Sequence, residues 1–172
     1  SGRRLTAMRW GFIPHWYKTP TDGPLLINAR AETIAEKPAF RAAARERRCR
    51  IAMDGLYAWD RAGDQKLPWF IHRRDGAPMV VAGIWQDWAR GEDAATACAI
   101  VTTEAEGQMA DIHHRIPVLL EPEDWGLWLG EEGKGAARLM TAAPDDVYEM
   151  YRVGTDVNSN RATGPALVEP LS

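Results

Sequence analysis

Two histidines, an arginine and an aspartate share one short string, Asp111-Ile-His-His-Arg-Ile-Pro117, which runs directly into the apolar Val118-Leu119-Leu120. Histidine is the side chain that most easily gains and loses a proton near neutral pH, and the guanidinium fork of arginine matches oxyanions. A polar cluster joined to an apolar strand sits at the edge of a packed sheet, so general acid and base work next to a bound anion is the chemistry these types suit. Asp111, His113 and His114 crowd too closely along a strand or turn to form a tetrahedral metal set by themselves. Neither a metal nor another cofactor is expected.

A second group of residues suits a flat, unpaired partner. Trp16 follows Ile13-Pro14-His15 and precedes Tyr17-Lys18 and the loop Thr19-Pro-Thr-Asp-Gly-Pro24, so an aromatic pair is presented beside turn residues. An unstacked base could rest there. The other seven tryptophans are expected mainly in the core, where large aromatic surfaces contribute most. Arg41, Arg45, Arg47, Arg48 and Arg50 crowd one stretch and Arg3, Arg4 and Arg9 another, while acids collect late at Glu121, Glu123, Asp124, Glu131, Glu132, Asp145 and Asp146. A local basic face is thus compatible with a net charge of −3, which argues against indiscriminate nucleic-acid binding.

The 172 residues, 45% apolar and 26% charged, are expected to form one domain with a sizeable core. Cys49 and Cys98 lack the spacing of a zinc site or a disulfide framework and read as core thiols. No run of about 18 apolar residues could span a bilayer and no apolar leader opens the chain, so a cytoplasmic protein is expected. No phosphate-binding glycine loop, zincin signature or nucleophile elbow is found.

The elements that must position these residues are mostly strands. Residues 5–12, 25–28, 50–59 (broken at Asp54-Gly55), 97–103, 116–120 and 148–157 read as strands, and 69–72 with 79–85 as a hairpin around Arg74-Asp-Gly-Ala-Pro78. Residues 38–47 read as a helix with Phe40, Ala43 and Ala44 on one face and arginines on the other, followed later by short helices over 122–129 and 135–141. Strands without regular βα alternation predict an α+β fold with a curved or barrel-like, mainly antiparallel sheet and short flanking helices.

Met8-Arg-Trp-Gly-Phe-Ile-Pro14, Ile27-Asn-Ala-Arg-Ala-Glu-Thr33 with Glu36-Lys-Pro-Ala-Phe-Arg41, Asp54-Gly-Leu-Tyr57 with Trp59, and Ile112-His-His-Arg-Ile-Pro117 occur in the order seen in the SRAP domain. The chain resembles that family, the SOS response-associated peptidases that shield abasic sites in single-stranded DNA, over nearly its whole length. The resemblance implies that the α-amine of an N-terminal cysteine, freed by autoproteolysis, attacks the aldehyde of the ring-opened sugar and that its thiol then closes a thiazolidine ring. It also implies single-stranded DNA containing abasic sites as the partner, with association to the nucleoid on damage. Carried over residue by residue, Asn28 resembles the asparagine that orients cysteine and sugar, and His113 the histidine that assists ring opening or proton transfer. Arg30 and Arg115 resemble phosphate ligands, joined by Thr102. Trp16 is similar in location to an aromatic stacked near the lesion, whereas Trp10 is expected to pack.

Two departures bear on that chemistry. The chain opens Ser1-Gly2-Arg3-Arg4 just ahead of the first block and reads as lacking the family's N-terminal cysteine segment. Neither Cys49 nor Cys98 can stand in, because the ring needs amine and thiol on one residue, and Ser1 is a poor substitute expected far from the pocket. The family's Tyr-Glu-Trp triplet also reads Tyr57-Ala58-Trp59 here. A methyl group transfers no proton, and loss of a positioned acid or base costs about 10²- to 10⁴-fold. The expectation is therefore an abasic-site cross-linking protein impaired in its chemistry. The alternatives are a non-covalent single-stranded DNA-binding module, or an inactive paralogue or fragment with an exposed sheet edge prone to dimerisation.

Overall fold

The computed structural model describes residues 2–171; Ser1 lies outside them. Two long strands organise it. β6 (Met79–Arg90) and β7 (Asp93–Glu104) form an antiparallel hairpin closed by Gly91-Glu92. Gly91 has φ +58°, the left-handed conformation that a tight two-residue hairpin requires. Around this pair the larger sheet runs β1 (Arg9–Trp10), β7, β6, β3 (Arg48–Met53), with β2 (Asn28–Arg30) and β8 (Arg115–Pro117) also on β7. β1 and β2 join β7 in parallel and the other pairings are antiparallel. A smaller sheet, β4 (Leu56–Asp60), β5 (Leu67–Arg73), β9 (Tyr148–Arg152), completes a curled half-barrel. The α+β expectation therefore matches the architecture.

The region after His113 is placed by a fork in the larger sheet. β6 and β7 stay in register up to Gly83 and Ile100, and past that point residues 116–120 enter between them. Val118 N–H donates to Val101 O at 2.9 Å, Ala82 N–H to Val118 O at 2.9 Å and Leu120 N–H to Val80 O at 2.8 Å. Ile116, Val118, Leu119 and Leu120 are buried, which explains why so apolar a run follows two histidines.

Two apolar layers hold the fold. On one face of the larger sheet, Phe12, Ile34, Phe40, Ala43, Ile84, Val101 and Trp128 pack together. Between the sheets lie Ala58, Ile71, Met79, Val81, Ile100, Met109, Ile116 and Tyr148. Helix α1 (Arg41–Glu46) turns Ala43 inward as expected, but the arginines beside it do not all form a free basic face. Arg47 Nε donates to Trp85 O at 3.1 Å and Arg48 Nε to Trp128 O at 2.6 Å, while Arg50 lies 4.2 Å from the Trp125 ring centroid. Backbone carbonyls left without partners at helix and strand ends need donors, and Arg47 and Arg48 supply them.

Several sequence readings need correction. Of the strands read over 5–12 and 148–157 only Arg9–Trp10 and Tyr148–Arg152 form, and Thr155–Asn158 is a 3-10 turn. Residues 69–72 and 79–85 do not form a hairpin, because β5 pairs with β4 and β9 whereas β6 pairs with β3 and β7; the Asp75-Gly76 turn carries the chain from one sheet to the other. A helix not foreseen, α2 (Gln108–Ile112), precedes the histidines. Of the eight tryptophans only Trp88 and Trp128 are buried. An open sheet face lets amphipathic indoles lie half-covered; Trp59 Nε1 donates to Asn158 Oδ1 at 2.6 Å, whereas the Trp69 N–H is buried without a protein partner.

Gly107 starts α2 at φ +59°, ψ −136°, and a Cβ there would collide with the Asp145 carboxylate that accepts from Gln108 N–H at 3.0 Å. Gly107→Ala is expected to cost about 1–3 kcal/mol, read as a lower midpoint in urea unfolding; an unchanged midpoint would show that α2 can re-form without this backbone geometry.

Candidate functional site

A cleft of about 710 Å³ opens between the larger sheet and β4. One wall carries Trp10 from β1, Asn28 from β2, Thr102 from β7, and His113 and Arg115 from the turn into β8. The opposite wall is Met53, Gly55, Leu56, Tyr57, Ala58 and Trp59, with Arg61 at the lip. Residues from separate parts of the chain meet here because β7 receives all of them: Asn28 pairs with Ile100, Arg30 with Thr102, and Pro117 with Thr102.

His113 is held at both backbone and ring. Its N–H donates to Met109 O at 3.0 Å, ending α2, and its Nδ1 lies 3.0 Å from Arg115 N and 3.1 Å from Arg115 O. With a hydrogen on Nδ1 the ring donates to the Arg115 carbonyl whether Nε2 is bare or protonated, whereas the Nε2–H tautomer accepts the Arg115 N–H at Nδ1. Each protonation state thus has a backbone partner, and Nε2 is left as the nitrogen that can exchange a proton with a ligand. His114 stacks on it with centroids 4.5 Å apart.

Arg115 is only 11% exposed, so its charge needs a partner. Glu32 provides it in a two-point fork, Nη1 to Oε1 at 3.0 Å and Nη2 to Oε2 at 2.8 Å. Nη2 also donates to Thr102 O at 2.9 Å and Oγ1 at 3.1 Å. Nε is buried without a protein acceptor, while the residue as a whole lines the cleft. Sequence reasoning missed Glu32, although an arginine entering an apolar strand implies a carboxylate nearby.

The remaining expected residues are divided. Asn28 is exposed at the cleft. Arg30 is exposed on β2 beside Thr102 but does not line the cleft. Trp16 is 46% exposed, edge-on to His15 and Tyr17, and also lies outside the lining. Trp10, expected to pack, instead stands 55% exposed in the cleft, its Nε1 donating to Ile27 O at 2.9 Å. Its position on a two-residue strand, with no layer above, leaves the ring uncovered.

Ala58 is 8% exposed and presents only a methyl group. Cys98 lies in the cleft, and burial raises its thiol pKa; burial, then the neighbouring Cys98, pushes Cys49 up to about 12. Neither is a thiolate at neutral pH. Among the described residues no group of three or more His, Cys, Asp and Glu could hold a metal ion, and no helix is long and apolar enough to cross a membrane.

The Glu32 carboxyl lies below its ordinary value of 4.5, chiefly through the hydrogen bond from Arg115. A depressed carboxyl contributes stability above its unfolded pKa and loses it as pH falls through the folded value. Glu32→Gln is therefore expected to melt below the parent protein at pH 7, with the gap narrowing toward pH 3. Melting curves at the two pH values check this, and an equal gap at both would remove the ion pair from the account.

The profile of the family described as SOS response associated peptidase (SRAP) matches residues 1–160. The chain is 36% identical to the abasic site processing protein YoqW of Bacillus subtilis, covering 98% of this chain and 78% of that protein. It is 34% identical to the abasic site processing protein YedK of Escherichia coli over 97% and 75% respectively. A crystal structure of a protein from Bacteroides thetaiotaomicron is similar with a TM-score of 0.85 at 26% identity, covering 95% of this chain and 75% of that one. A cleft lined from six strands and helix α2, on a fold shared with that structure and a sequence matched along most of its length, identifies the chain as a member of the SRAP family.

Proposed function

We propose that the chain recognises abasic sites in single-stranded DNA and that the cleft holds the lesion. The observation that carries this reading is the convergence of Asn28 and His113 beside Arg115 on one wall, side chains whose polar groups suit an opened sugar and its phosphate. The Asn28 amide both donates and accepts toward the sugar hydroxyls. His113 moves a proton through Nε2 while Nδ1 stays paired with Arg115 in either state. Arg30 meets a flanking phosphate as a free cation. Arg115, neutralised by Glu32, shapes the wall more than it supplies charge, with Thr102 fixing its plane. Trp10 and Trp16 offer ring faces to neighbouring bases, Trp10 within the cleft and Trp16 beyond it.

The family resemblance adds covalent capture by an N-terminal cysteine, with the glutamate at position 58 as proton carrier. Ala58 removes that carrier, so cross-linking is slow. Reversible binding without a cross-link is the second reading, and Ala58 is what favours it.

Fluorescence anisotropy with a labelled single strand carrying one central abasic site is expected to show tighter binding than with the intact strand. Arg30→Ala should lower the slope of log affinity against log salt by about one, whereas Arg115→Ala should weaken binding with a smaller change in slope. Equal affinity for lesion and intact strands would overturn the lesion-binding reading.

Ala58→Glu, in a chain carrying an N-terminal cysteine, is expected to raise the rate of denaturant-resistant adduct formation by about 10²-fold or more. Intact-mass spectrometry reads the adduct, and an unchanged rate would mean that position 58 is not the site of proton transfer.

A further inference from the structure

We propose that the outer face of the smaller sheet is a stacking surface for the bases of single-stranded DNA leaving the cleft, an inference that rests on the cleft being a DNA site. Cross-strand register sets Tyr57, Phe70 and Tyr151 in one row across β4, β5 and β9. Alternation along the strands adds Trp59 and His72 to the same face. The opposite face carries Ala58, Ile71 and Tyr148 and is buried in the core.

An antiparallel sheet with one face in the core usually turns polar residues outward. This one turns out five rings, all partly exposed. Tyr57 and Phe70 lie 5.4 Å apart, Phe70 and Tyr151 5.8 Å, and Phe70 and His72 5.7 Å at an interplanar angle of 21°. Gly55 makes room for this arrangement, since a Cβ there would collide with the Phe70 ring.

Continuity identifies the occupant. Tyr57 and Trp59 belong both to this face and to the lining of the cleft, so a strand crossing β4 on its way out meets Phe70 next. Lys66 Nζ sits 4.6 Å from the Trp59 ring centroid and Arg61 stands at the lip, placing cations where the backbone would cross. Glu149, 3.5 Å from His72 Nε2 at the far corner, repels phosphate there and confines the path to the Tyr57–Phe70–Tyr151 row. Three strands span roughly 10 Å, enough for two or three stacked bases. Duplex DNA cannot use such a surface, because its bases are already stacked on one another.

The test is a binding series in which an abasic oligonucleotide is lengthened on one flank at a time, alongside versions whose added nucleotides lack bases. Two or three added bases on one flank only are expected to raise affinity about tenfold or more, and base-free additions of the same length to raise it far less. Phe70→Leu, which keeps an apolar side chain over Gly55, is expected to lower that gain and His72→Ser, outside the row, to leave it unchanged, both with the affinity for the shortest oligonucleotide unchanged. Tight binding of the shortest oligonucleotide with no flank dependence, or equal gains with and without bases, overturns the stacking surface and leaves the cleft reading intact. No binding at any length overturns both. The base-free comparison needs only the unmodified protein, so it decides the matter even if a variant fails to fold.

Discussion

A β-strand has two edges, and the arrangement of this protein depends on how β7 uses both. One edge takes β6 along its first two-thirds and the inserted β8 segment beyond, while the other takes β1 and then β2 in parallel. Parallel partners cannot arrive through a tight turn and must come from elsewhere in the chain. That is why Trp10, Asn28, Thr102 and His113, distant in sequence, end up around one opening.

Rigidity at the cleft follows from burial. Arg115 cannot be taken out of water without Glu32 and Thr102, and once tied to them its own backbone fixes the imidazole of His113. The imidazole is therefore oriented by a partner that is itself held in place, and little rotational freedom remains to it. Across the opening, Ala58 lies on a sheet equally well packed.

Much of this was legible before the fold was known. The ordered motifs brought Asn28, Thr102, His113 and Arg115 onto one wall, and the absence of βα alternation gave the fold class. Other features depended on long-range choices that local sequence does not encode. The Asp75-Gly76 turn signals a reversal without saying whether the next strand pairs with the last, so β5 and β6 were joined although they lie in different sheets. Trp10 and a core tryptophan have similar neighbours in sequence, and what separates them is whether another layer covers the ring. Glu32 lies next to recognisable residues, yet its role emerges only when Arg115 is seen to be buried. The arginine-rich stretch misled in the same way, because guanidinium groups that look free in sequence are bound to carbonyls of Trp85 and Trp128.

The parallel attachment of β1 and β2 to β7 also constrains the order of events during folding. The β6–β7 hairpin closes through a two-residue loop and can form early, whereas docking β2 means closing a loop that contains most of the larger sheet and all of β4 and β5. Such non-local closures carry an entropic cost before they return any contact energy, and they slow folding. The cleft wall built by β1 and β2 therefore depends on contacts far more distant in the chain than those of the β6–β7 hairpin.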